Sequence, residues 1–178
     1  MVNTLGFHIV KSAYGLWLPG DDRGHWSSDW DEMIGYVEPH TLHAGDPVRR
    51  RMAAERMKHP PVRWTDAMID VIARQVGRCA DESDWDLVAA SFEPTHMHLL
   101  MSYHTRDIDK TCKWMAQQAA KAVHAEADHT GPVFAKSNWC SFVFDPRIWT
   151  NTERYIDRHN ERRGVPAKPY PWLSNIPK

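Results

Sequence analysis

The sequence lacks any run approaching the roughly 18 apolar residues that a membrane helix requires, so no membrane partner is expected. Its start, MVNTLGFHIVKSAYG, lacks a basic region followed by a long apolar stretch, so no secretory signal is expected. Cysteine is scarce. Cys79, Cys112 and Cys140 form an odd set of three without a CxxC pair, which argues against a disulfide framework and for reduced, buried thiols in a cytoplasmic protein. A surplus of charge of one sign is missing as well. The formal net charge is -1, which by itself argues against a nucleic-acid partner.

What is present is ordinary in bulk and uneven in distribution. The 178 residues, 42% hydrophobic and 25% charged, suit one domain with a single core. Arg49, Arg50, Arg51, Arg56, Lys58 and Arg63 crowd into one segment, and Arg147, Arg154, Arg158, Arg162, Arg163 and Lys168 into another. Acidic residues gather elsewhere, at Asp81, Glu82, Asp84 and Asp86. A polarised molecule can hold a phosphate backbone without being basic overall. The other reading of each cluster is a solvated helix face. Nine tryptophans are many for this length. They are expected in the core or half-buried, with some available for unpaired bases to stack on.

Along the chain, residues 7–18 read as a first strand ending at Pro19-Gly20. Residues 20–62 are irregular and polar, long for a loop, with a helix expected near Arg49–Lys58. Thr65 can cap a helix over Asp66–Cys79, where Met68, Ile69, Ile72, Val76 and Cys79 recur at helical spacing. Residues 85–92 and 96–103 read as a hairpin turned at Glu93-Pro94-Thr95. A helix free of Gly and Pro is expected over 107–127, then a strand over 139–144. A last helix, capped by Thr150 or Asn151, stops at Gly164. The order βαββαβ plus one helix predicts an α+β, ferredoxin-like antiparallel sheet with helices on one face. The expected organisation is one domain over 1–164, with an insertion near 20–62, and a proline-rich, extended tail over 165–178.

Two constellations are candidates for chemistry. His96 and His98 flank Met97 on the second hairpin strand, so both imidazoles share one face and can clamp a divalent metal. With eleven histidines in the chain, such a pair also arises by chance. Tyr155 and His159 are four apart on the last helix and share a face. A tyrosine hydroxyl can act as a nucleophile when something activates it or its electrophile. The alternative is that Tyr155 only packs its helix onto the core. His8, His25, His40, His43 and His104 read as structural or surface residues.

Taken together, these segments resemble a known family. EPTHMHLLM is similar to the metal-binding strand of the single-tyrosine transposases of the HUH endonuclease superfamily, and ERYIDRHNERRG to their nucleophile helix. GPVFAKSNWCSFVFDP resembles the segment between them, and YGLWLPGDDRGHW the entry motif of the REP-associated branch. The resemblance spans about Gly6 to Gly164. It implies that His96 and His98 bind metal and that Tyr155 is the nucleophile. His159 falls where the family usually has Gln or Asn as third ligand, and Asn160-Glu161 stands in place of the common Asn-Pro. The resemblance implies Mg²⁺ or Mn²⁺, whereas a third imidazole favours Mn²⁺ and other first-row metals.

The implied activity is cutting and rejoining of single-stranded or hairpin DNA through a 5′-phosphotyrosine, by a monomer or homodimer. Arg49, Arg50, Arg51, Arg158, Arg162 and Arg163 are the expected phosphate contacts. Two other readings stay open. One is a domesticated regulator that binds hairpin DNA. The other is a non-catalytic metal- or RNA-binding module, which predicts stacking aromatics on the sheet and leaves Tyr155 without a role.

Overall fold

The structure, a computed structural model, describes residues 3–26, 30–31, 35–36 and 42–174, and side chains outside 25–41. Its centre is a four-stranded antiparallel sheet built from β1 (Gly6–Ser12), β2 (Leu87–Phe92), β3 (His96–Ser102) and β4 (Trp139–Val143). The strand order is β2-β3-β1-β4, the order of a split βαβ repeated twice. This is the α+β, ferredoxin-like arrangement that the pattern predicts. Four helices accompany it: α1 (Pro47–Glu55), α2 (Asp66–Ser83), α3 (Ile108–Glu126) and α4 (Pro146–Arg162).

The two faces of the sheet are sorted by alternation along the strands. Phe7 and Ile9 of β1, Met97, Leu99 and Met101 of β3 and Phe92 of β2 form the main core with α2 and α3. The opposite face carries His8, His96, His98 and Leu100, and there α4 packs. Ile156, fully buried, meets Ala89, Leu100 and Val143. The crossover helices α2 and α3 thus share one face, while α4 takes the other. The reason is visible in the strands: both faces of β3 are apolar enough to need covering, with five buried residues running from Met97 to Met101.

The start of α4 departs from expectation. Its cap is Asp145, whose side chain accepts from Arg147 N at 2.7 Å, with Pro146 at the first helical position. Asp-Pro is a good helix start, since the carboxylate takes a free N–H and proline fixes φ without losing a needed donor. Asp-Pro also suits the end of a strand, which is why the sequence alone points to Thr150 or Asn151, more than a turn later. The first strand is also shorter than expected and ends at Ser12, where the chain turns.

The tail is not merely extended. Residues 164–174 run along the edge strand β2, and together with the end of α4 they occupy its outward carbonyls. Lys168 Nζ donates to Val88 O at 3.0 Å, Asn160 Nδ2 to Ala90 O at 2.9 Å, and Ser174 N to Leu87 O at 2.8 Å. Arg163 donates to Phe92 O. An edge strand left bare is a template for unwanted pairing, so this cover protects it. It also ties α4 to the sheet, because Asn160 belongs to that helix and Lys168 reaches its Glu153 at 2.7 Å. The expected insertion holds α1 and two short strand pairs, His25–Trp26 with Leu42–His43 and Trp30–Asp31 with Gly35–Tyr36. His40 and the side chain of His25 lie outside the described residues.

Candidate active site

The hairpin β2–β3 places its histidines by strand geometry. His96 and His98 sit on the α4 face, with Met97 buried in the main core as the alternation requires. Their Nε2 atoms lie 2.9 Å apart. On α4, Ile156 and Asn160 anchor the inner side of the helix, which turns Tyr155 and His159 toward β3. The His159 ring stands 4.8 Å from that of His98 and 5.9 Å from that of His96. One ring nitrogen from each of the three lies within 4.8 Å of the others. The structure therefore brings together all three histidines singled out in the sequence.

The outer nitrogens are each engaged. His96 Nδ1 is 2.8 Å from Thr95 Oγ1, His98 Nδ1 is 3.1 Å from His8 Nε2, and His159 Nδ1 meets the Glu93 carboxylate. A neutral imidazole carries one N–H, so a proton held on Nδ1 by these acceptors leaves Nε2 as a lone pair. All three Nε2 atoms can then act as ligands at once. His159 Nε2 is buried without a hydrogen-bond partner among the described residues. Two nitrogens about 2.0–2.1 Å from a single ion sit roughly 3 Å apart, which the His96–His98 spacing matches. The residues therefore fit a divalent first-row metal, and outer acceptors of this kind are what orient metal-bound imidazoles.

Burial disfavours the charged forms of His8, His96 and His98. Desolvation, then the neighbouring His96, His8 and His159, pushes the His98 pKa down to about 2. Desolvation and His159 push His8 down to about 4. His96 is lowered too, mainly by burial, with Glu93 opposing and His159 and Arg23 assisting. Neutral rings are the form that binds metal.

Tyr155 stands over this cluster. Its ring centroid is 4.6 Å from that of His159, 5.3 Å from His98 and 6.3 Å from His8. It is 46% exposed, so it is not consumed in packing the helix; its neighbour Ile156 does that. On the β4 side, Trp139 lies edge-on to His8 at 5.2 Å and remains partly exposed, forming a wall of the site.

No family model matches the sequence, and no curated protein is similar to it. Solved structures similar in shape include these two. One is a REP-associated tyrosine transposase bound to a REP hairpin, 11% identical, covering 92% of this chain and 72% of its own, with a TM-score of 0.49. The other, from Deinococcus radiodurans R1, is classed by inference as a transposase. It is 13% identical and covers 89% of this chain and 93% of its own, with a TM-score of 0.47. Likeness at this level leaves the functional reading to rest on the geometry of the site.

The expected phosphate contacts divide. Arg49 is buried, and Arg163 is occupied by Phe92 O and, at 3.7 Å, by Asp66. Arg50, Arg51, Arg158 and Arg162 are exposed. Reading the sequence missed His8, Glu93, Thr95 and Trp139. Glu93 and Thr95 looked like turn residues, which they are; nothing local shows that they also hold His159 and His96. His8 shares a face with His98 only once β1 and β3 are known to be neighbours, and that pairing is invisible in the chain itself.

Proposed function

We propose that the protein is a metal-dependent endonuclease and strand transferase acting on single-stranded or hairpin DNA through a 5′-phosphotyrosine on Tyr155. The observation that carries this reading is an exposed tyrosine standing directly over three convergent imidazoles. A packing tyrosine would be buried, and a plain metal module would not need one there. The sequence resemblance to single-tyrosine transposases supports the same assignment.

His96, His98 and His159 hold the divalent ion, with Mn²⁺ better suited than Mg²⁺ to three nitrogen ligands. The ion, when bound, withdraws charge from a non-bridging phosphate oxygen. Thr95, His8 and Glu93 keep the three rings in the tautomer that presents Nε2. The Tyr155 oxygen attacks phosphorus. A P–O bond to tyrosine forms, the bond to the 3′ oxygen breaks, and that oxygen leaves as a hydroxyl with the proton that tyrosine gave up. One phosphodiester replaces another, so a 3′-hydroxyl can attack the phosphotyrosine and rejoin strands without ATP. Arg158 and Arg162, exposed on the same helix, attract the backbone. Trp139 offers a face to an unpaired base beside the reacting phosphate.

The test is incubation of the full chain and Mn²⁺ with a 3′-labelled single-stranded oligonucleotide. The reading expects labelled DNA bound covalently to protein and lost with EDTA. Free labelled 5′-phosphate product without an adduct would point to hydrolysis by water instead.

A further inference from the structure

A second feature lies beyond the histidine cluster. A cavity of about 820 Å³ opens between the turn after β1 and helix α1. Its apolar lining includes Leu16, Leu18 and Met57, while Arg50, Arg51 and Lys58 supply cations. Asp22 is the single acidic residue among those lining it. An apolar floor with a cationic rim is the combination that holds single-stranded nucleic acid, bases on the floor and phosphates on the rim.

The walls are held by backbone. Gly15 has φ +72°, and a Cβ there would meet Met57 Cε at 2.3 Å and Pro61 Cα at 3.0 Å. Gly20, at φ +85°, would meet Arg50 N at 2.5 Å. Asp46 N donates to Gly20 O at 3.0 Å and Val62 N to Tyr14 O at 2.9 Å. The two walls are thereby fixed to each other before any ligand arrives, which lowers the ordering cost of binding.

Backbone contacts bring the groove close to the histidine cluster. Ser12, the last residue of β1, lies opposite His96, and Ala13 N donates to Thr95 O at 2.8 Å. Gly15, two residues further on, already lines the groove. Arg23 is paired with Asp21 at 2.7 Å and is near enough to His96 for its charge to act on that ring. Its guanidinium stacks on the exposed Trp17 at 4.5 Å and donates to Leu16 O at 2.9 Å, next to the His96 end of the sheet.

We propose that this groove seats the single-stranded DNA segment adjoining the phosphate attacked by Tyr155, with Arg50, Arg51 and Lys58 on its phosphates. The proposal rests on the reading of the histidine cluster as a DNA-cutting site. Charge decides the class of partner: three cations against one acid suit a polyanion, and the apolar floor suits bases more than a bare anion.

The experiment measures binding by the full chain of oligothymidylate of about 20 nucleotides and of about 5, the second too short to reach across both sites. Wild-type protein is compared with the combined Arg50→Ala, Arg51→Ala, Lys58→Ala variant and with Lys58→Glu alone, both checked for an unchanged melting profile. The expected result is that the longer strand binds wild type at least tenfold more tightly than the shorter, and that the combined variant loses most of that gain. The slope of log affinity against log salt should become shallower by about 2, as three single-strand phosphate contacts at roughly 0.7 each require. Unchanged long-strand affinity and slope in both variants would overturn the proposal. Competition by polyglutamate as strong as by DNA would also overturn it, in favour of an acidic protein partner. A wild-type protein that shows the length dependence but never forms the adduct would support the groove and contradict the cleavage reading instead.

Discussion

His8 Nε2 lies 3.1 Å from His98 Nδ1, joining the first strand of the sheet to the centre of the histidine cluster. With His98 Nε2 turned to His96 and His159, the proton of His98 belongs on Nδ1, donated to His8. His8 is thus a positioning residue. Outer partners of metal-bound imidazoles are worth about 10–100-fold in metal affinity. We predict a loss of that size for His8→Ala, measured by calorimetric titration with Mn²⁺, with the fold retained. Affinity equal to wild type would remove His8 from the account.

His159 is the residue whose replacement discriminates most between roles. If it ligates the ion, His159→Gln keeps activity and shifts preference toward Mg²⁺, because an amide oxygen replaces an imidazole nitrogen. If it serves only as a cation near DNA, the same change weakens DNA binding and leaves metal preference alone. The expected outcome is the first, read from cleavage rates in Mg²⁺ and Mn²⁺ side by side. Glu93→Gln should weaken metal binding without that shift, since the carboxylate contacts His159 and is not among the three residues that would hold the ion.

The buried rings predict a pH effect on the metal-free protein. An unfolded histidine titrates near 6.5, whereas His8 is lowered to about 4 and His98 to about 2. Below 6.5 the unfolded chain takes up protons that the folded chain refuses, so stability rises with pH in that range. The contribution is complete above about 6.5 and is lost progressively as pH falls toward 4 and below. The melting temperature should therefore fall between about pH 7 and about pH 5, and less steeply in His8→Asn. A flat profile over that interval would contradict the burial of these rings.

Much of this was legible in the chain and some was not, for physical reasons. The pair His96–His98 and the pair Tyr155–His159 follow from periods of two and four along one element. Local geometry alone puts each pair on one face. The sheet class followed from the order of elements. What stayed hidden depends on contacts between distant segments: His8 beside His98, ninety positions away, or Lys168 on Val88, eighty away. The arginine run shows the same limit. Arg49, Arg50 and Arg51 read alike in sequence, yet the helix turns Arg49 into the protein and leaves the other two exposed.

Tyr155 is the residue expected to carry the DNA. The most direct measurement is mass spectrometry of the protease-digested adduct formed with a single-stranded oligonucleotide in Mn²⁺. The account predicts one nucleotide-bearing peptide, modified at Tyr155, and no adduct in Tyr155→Phe, whose DNA binding stays near wild type because only a hydroxyl is removed. A modification mapped to another residue, or an adduct that persists in Tyr155→Phe, would contradict it.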